Sequence, residues 1–181
     1  MKIDVLDNTV GKTMKSISKQ STAGMTILEV IAVVAIIGIL SAIAAPGWVT
    51  FANRQRANRA TDQVLQSIRS AQADAKRTRR TRTIEFDKNA DVPQLITNGA
   101  AIPLGEGDLK PGMVDLSVKE DDGADLDTMS FTSTGGLESV NLPVTITVAI
   151  PADSDSPVKK CVIVRSLLGA TQTASGDDCA S

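Results

Sequence analysis

The 181 residues divide by the rhythm of their apolar positions. From Met25 to Val49 the chain reads MTILEVIAVVAIIGILSAIAAPGWV, apolar almost throughout, with Glu29 as its one charged residue. About 20 apolar residues span a bilayer, so this stretch is long enough for a membrane helix. Beyond it, Ala57, Ala60, Val64, Ile68, Ala71 and Ala75 recur in steps of three and four, and Leu65 widens the row. That spacing is one face of a helix. Neither glycine nor proline falls between residues 48 and 92, so the membrane helix is expected to continue beyond the bilayer. Pro46 removes one backbone donor and is expected to kink it, with Gly47 loosening the same turn. Trp48 suits the membrane–water interface.

After Arg82 the period falls toward two. Residues 83–87 alternate as a half-buried strand does. Further β-type runs lie at 92–97, 114–118, 128–132, 144–150 and 160–164. Asn98-Gly99, Pro111-Gly112, Gly135-Gly136 and the segment 153–157 supply turn signals between them. Five or six short antiparallel strands beside one long helix predict an α+β fold. The expected organisation is a leader at 1–24, a transmembrane helix at 25–49, a basic amphipathic helix at 50–82 and a β-rich head at 83–181. A head of this size with few aromatic residues has a modest core and needs further support.

Charge sharpens that division. The net charge is −2, which excludes a uniformly basic nucleic-acid binder. Residues 1–24 hold four lysines against two aspartates, 50–82 hold nine basic against two acidic residues, and 83–181 hold six basic against sixteen acidic residues. The lysines ahead of the apolar run favour a cytoplasmic start, and the more numerous basic residues after it favour the reverse. Charge counting therefore leaves the orientation open. A cleaved secretory signal is the alternative to a membrane anchor, with Ala42 to Ala45 as its small-residue cut site. Against it stand the length of the apolar run, Glu29 inside that run, and the long polar stretch ahead of it.

Candidate chemistry is sparse. The chain has no histidine, which removes His-ligated metal sites and His-based acid–base catalysis. Its two cysteines cannot build a zinc site alone. The acidic run 121–127, DDGADLD, carries calcium-type ligands around a glycine. It lacks the closing glutamate and flanking helices of an EF-hand, so it is read as a solvated loop. Neither a nucleophile motif nor a phosphate-binding glycine loop is present, so no catalytic residue, metal or cofactor is expected, and a membrane-anchored enzyme has no constellation to support it. Lys76, Arg77, Arg79, Arg80 and Arg82 form a dense basic cluster where the second helix is expected to end. Three readings of it stay open: phosphate contact with DNA, a solvated face favoured by the helix dipole, and contact with acidic heads of neighbouring subunits. No aromatic residue interleaves the cluster, so base stacking is not expected.

Gly24-Met25-Thr26-Ile27-Leu28-Glu29, followed by the apolar run, resembles the class III signal of type IV pilins and type II secretion pseudopilins. Met25 replaces the usual phenylalanine, Ile27-Leu28 reverses the usual pair, and Pro46 falls where pilins carry a helix-kinking proline. Residues 64–82 resemble the GspH/FimT-like branch of minor subunits, chiefly in Ser70-Ala71-Gln72-Ala73-Asp74-Ala75-Lys76-Arg77.

The resemblance implies a pilin fold, a helical spine packed on an antiparallel sheet. It implies prepilin peptidase cleavage between Gly24 and Met25, N-methylation of Met25, and a single-pass inner-membrane protein with its head in the periplasm. The mature chain would enter a filament with other subunits, either a type IV pilus or a type II secretion pseudopilus. Glu29 would pair with the Met25 amine of a neighbouring subunit and set the stagger of assembly; the alternative is a carboxylate resting in headgroup water. Exported chains fold where disulfides form, and many pilins staple their C-terminal segment. Cys161–Cys179 is therefore the expected bridge, with two free thiols as the alternative. DNA-binding members of the branch carry Gly-Arg-x-Arg near the C-terminus. Here Gly169 precedes Ala170, Thr171 and Gln172, which lowers a DNA-binding minor pilin to second place.

Overall fold

The computed structural model describes residues 24–152, 156 and 158–179, with the side chains at 44–46 and 106 excepted. All of the expected leader except Gly24 lies outside the described residues, as does the side chain of Pro46, where the kink is expected. The chain divides into two compact units between Ser41 and Ala42.

Helical backbone, α1, covers Ile27–Thr78 in two stretches, Ile27–Ile43 and Gly47–Thr78. It begins two residues after Met25, where the expected span starts, because Thr26 caps it. In the N-terminal unit the apolar side chains are exposed on every side, from Ile27 to Leu40. An apolar surface all round a helix suits an apolar surrounding rather than water. Neither stretch alone is long and apolar enough to cross a membrane; taken together they meet that measure by length and composition. The first falls short because seventeen residues (27–43) rise only about 25 Å, against a hydrocarbon core of about 30 Å.

In the second unit the expected stripe is the buried one. Ala57, Ala60, Val64, Ile68, Ala71 and Ala75 are all closed to solvent, with Thr61 among them and Leu65 at the margin. Four alanines in that row leave room for the larger strand residues that share its core. The helix ends at Thr78, short of the expected residue 82. Arg79 turns to φ +53, and the Arg80 N–H donates to the Ala75 carbonyl at 3.3 Å. This is the 6→1 bond of a Schellman ending.

Among the described residues nine strands follow: β1 (Arg82–Asp87), β2 (Gln94–Thr97), β3 (Ala100–Pro103), β4 (Asp115–Lys119), β5 (Thr128–Phe131), β6 (Leu137–Glu138), β7 (Val144–Ala149), β8 (Lys159–Val164) and β9 (Thr171–Ser175). They form two sheets, ordered β3-β2-β1-β5-β6 and β4-β7-β8-β9. Every pairing is antiparallel. The fold is α+β, as expected. Each expected strand is present; β3, β6 and β9 are additional. The core combines the helix stripe with Ile84 and Phe86 of β1, Met129 and Phe131 of β5, and Ile146 and Val148 of β7.

Cys161 of β8 is bonded to Cys179, in the 3-10 turn that follows β9, with Cα atoms 5.7 Å apart. Closing an 18-residue separation contributes about 3 kcal/mol.

The link from β1 to β2 is held by one carboxylate. Asp87 Oδ1 accepts the N–H groups of Asn89 and Ala90 at 3.2 and 3.1 Å, and Oδ2 accepts Gln94 Nε2 at 2.9 Å. The Gln94 bond, aided by the two backbone N–H groups, holds this carboxyl below its ordinary range. A depressed folded-state pKa adds stability above the unfolded value, and that stability is lost as pH falls through the folded value. Asp87→Ala should therefore melt lower than the parent at neutral pH. The gap should narrow on acidification below about pH 4. Paired thermal melts across that range check it.

Candidate functional site

Two regions collect the residues singled out in the sequence. The first is the start of α1. Gly24, Met25 and Thr26 precede the helix and are exposed, Met25 by 75%. The Thr26 Oγ1 accepts the Glu29 N–H at 3.2 Å, and the Thr26 carbonyl accepts the N–H groups of Glu29 and Val30. Thr26 is thus the N-cap, and Glu29 occupies the third helical position. Thr-x-x-Glu is the capping-box pattern, a signal that the string itself carries and that the motif reading left unused. Glu29 also lies in the first turn, where the helix dipole favours a carboxylate. It is exposed, and among the described residues no basic side chain pairs with it.

The second region is the basic corner. Its five residues do not share the end of one helix, as the sequence suggested. Lys76 and Arg77 close α1, Arg79 and Arg80 form the turn, and Arg82 opens β1. Their roles separate accordingly. Arg77 pairs with Asp74 at 2.8 Å. That bond is the main reason the Asp74 carboxyl is held below its usual range, with a further bond from Asn98. The Lys76 stem lies over Gly135, where a Cβ would come within 2.0 Å of Lys76 Cε. Gly135 also has φ +82, the left-handed region that favours glycine. Arg82 is half-buried. Arg79 and Arg80 stay exposed and make no ion pair among the described residues.

Gln72, which has no separate role in the sequence reading, builds this corner. Its Nε2 donates to the Gly135 carbonyl at 2.7 Å and to the Leu168 carbonyl at 2.8 Å. The Leu137 N–H donates to the Leu167 carbonyl at 2.7 Å, tying β6 to the same turn. Leu167 and Leu168 are thereby held at the surface, 55% and 82% exposed. A glutamine on the polar margin of a helical stripe carries no signal for such a role; two leucines before a glycine in a loop carry a faint one.

The acidic run 121–127 forms a loop tied to itself. Asn141 donates to Glu120 and Asp122, the Ala124 N–H donates to Asp122, and Lys88 pairs with Asp127 at 2.7 Å. Asp122 and Asp127 are committed to these separate partners, and among the described residues no cluster is arranged to hold a metal. A groove of about 640 Å³ lies over β4 and β7, where Asp115, Lys119, Glu120 and Lys159 mix their charges around Ser117 and Thr147.

No family model matches the sequence, and no curated protein matches it. Two crystal forms of the type IV minor pilin FimU from Pseudomonas aeruginosa PAO1 are similar in structure. The P21 form shares 20% identity over 68% of this chain and 92% of that one, with a TM-score of 0.44. The P65 form shares 15% identity over 64% of this chain and 90% of that one, with a TM-score of 0.41.

The Gln72 bonds generate a prediction. Gln72→Ala leaves two carbonyls to water and releases the 166–169 turn, so it should cost about 1–2 kcal/mol. Denaturant unfolding checks the energy. Hydrogen exchange should show faster amide exchange at Leu137 than in the parent.

Proposed function

We propose that the chain is a minor pilin-like subunit that assembles through its apolar N-terminal helix into a type IV pilus or a type II secretion pseudopilus. The observation that carries this reading is a helix apolar on all sides and bare in the chain alone, opened by Gly24-Met25-Thr26 and marked by Glu29 in its first turn. Such a surface needs a bilayer before assembly and other apolar helices after it. The Gly24–Met25 bond lies in exposed, non-helical chain, the form in which a peptidase reaches a backbone. The partners on this reading are a prepilin peptidase and other pilin-like subunits, and the location is the inner membrane, with the head in the periplasm, and then the filament. Pro46 would bend the spine between its membrane part and its head part.

Capture of DNA by an assembled filament is the second reading, favoured by the exposure of Arg79 and Arg80. The sixteen acidic residues of the head and the absence of arginine after Gly169 oppose it.

Mass spectrometry of filament-associated chain should find a start at Met25, carrying an added methyl. A start at residue 1, or after Ala42 to Ala45, would overturn the proposal. Glu29→Ala should insert into membranes at least as well as the parent, since an embedded carboxylate opposes insertion. It should nevertheless be depleted from filaments several-fold, measured by immunoblot of sheared filaments against membranes.

A further inference from the structure

The polar side chains of Asp87, Gln72 and Asn141 are bonded within the head. In one cleft, between α1 and β9, the polar side chains are not. Asn58, Thr61 and Asp62 of the helix line it with Lys160 of β8 and Thr173 and Ser175 of β9, around about 250 Å³. Two spacings bring them together. Positions 61 and 62 follow 58 by three and four residues, so the three share a helix face. In the β8–β9 register Lys160 stands opposite Ser175, and Val162 opposite Thr173. Residues opposite each other share a face of the sheet. Lys160, Thr173 and Ser175 therefore lie on the face of Val162, which belongs to the core.

Two observations mark this cleft as a place for a ligand. None of the six side chains makes a hydrogen bond or an ion pair among the described residues. Lys160 and Asp62 thus line one space with opposite charges and are not joined. Independently, Thr61 is only 4% exposed, and its hydroxyl is buried without a partner. A helical threonine often bonds the carbonyl four residues back; Thr61 does not. A hydroxyl buried without a bond is costly, and a ligand atom that reached it would remove the cost.

We propose that the cleft binds a free α-amino acid, with its carboxylate on Lys160 and its ammonium on Asp62. The lining selects that class. Ala174 alone among the described lining residues brings an apolar side chain, so an apolar ligand has little to bury against. The space is smaller than the roughly 300–1,000 Å³ of pockets for drug-sized ligands, so the ligand is small. No aromatic ring lines it on which a base could stack. One lysine against one aspartate leaves no excess of positive charge for a polyanion. A small zwitterion satisfies both charges at once. The Asn58 amide and the three hydroxyls, which both donate and accept, serve its remaining polar atoms. Bound there, it joins α1 to β9, the outer strand of its sheet. The cleft uses nothing of the apolar helix, so this inference is independent of the filament-subunit reading.

The test is calorimetric titration of the full-length chain, held in detergent micelles, with L-serine and L-glutamine as probes. Ethanolamine, which lacks the carboxylate, and lactate, which lacks the ammonium, are the controls. At least one amino acid should bind at millimolar concentration or below, and each control about tenfold more weakly. Asp62→Asn and Lys160→Gln should each weaken the amino acid about tenfold while melting as the parent does. Thr61→Val should also weaken binding, yet raise the melting temperature of the ligand-free chain, because the unpaired hydroxyl is gone. A merely structural Thr61 would not move the two readouts in opposite directions. Amides of β9 should exchange more slowly with the amino acid bound. Absence of binding by both amino acids at millimolar concentration would overturn the proposal. So would lactate or ethanolamine that binds as tightly as the amino acid, or unchanged affinity in Asp62→Asn and Lys160→Gln.

Discussion

The burial of one helical face in a core shared with strands of both sheets is the contact on which the rest of this fold depends. Ala57, Ala60, Ala71 and Ala75 keep the row shallow, while Val64 and Ile68 fill its middle. Burying such a stripe removes apolar area worth about 25 cal/mol per Å². Small side chains contribute little of that area themselves; their effect is to let the large residues of β1, β5 and β7 reach the helix. A bulky substitution in the row would lift the helix from both sheets at once, so its cost would exceed that of one overpacked position.

Much of this is legible in the order of the residues. The 3-4 spacing of the stripe and the alternation at 83–87 are strong periodic signals, and both faces are buried as read. The elements missed are those whose sequences carry no period. β6 is two residues long, β3 is Ala-Ala-Ile-Pro, and β9 is Thr-Gln-Thr-Ala-Ser, with no large apolar residue to mark an inner face. Their neighbours define them as strands through backbone bonds that composition does not encode. The helix end shows a similar limit. Nothing in Lys-Arg-Thr-Arg-Arg-Thr-Arg marks a stop, because arginine stands at the left-handed position where glycine would have announced one.

The candidate sites divide in the same way. Gly24, Met25 and Glu29 belong to a contiguous motif, and the capping pattern in that string marks Thr26 as well. The corner is not legible so directly. It depends on Gln72 reaching two carbonyls that lie 63 and 96 residues further along the chain. The fold divides five basic residues close in sequence between an ion pair, a stem laid over a glycine, a strand start and two exposed guanidinium groups. Proximity along the chain reveals the charge density and nothing of its division of labour.

The disulfide has a consequence beyond the loop it closes. β9 is the outer strand of its sheet, and Thr171–Ser175 contains neither a charge nor a proline. Edges of that kind are templates on which a foreign strand can pair, and proteins usually block them with charge or a bulge. Here the cross-link from Cys179 to β8 fastens the residues that follow the strand, so β9 cannot peel away and offer β8 as a second, more apolar edge. Reduction would expose Cys-Val-Ile-Val to other chains. The thiol state would then govern the protein's tendency to aggregate, even under conditions in which the rest of the head stays folded.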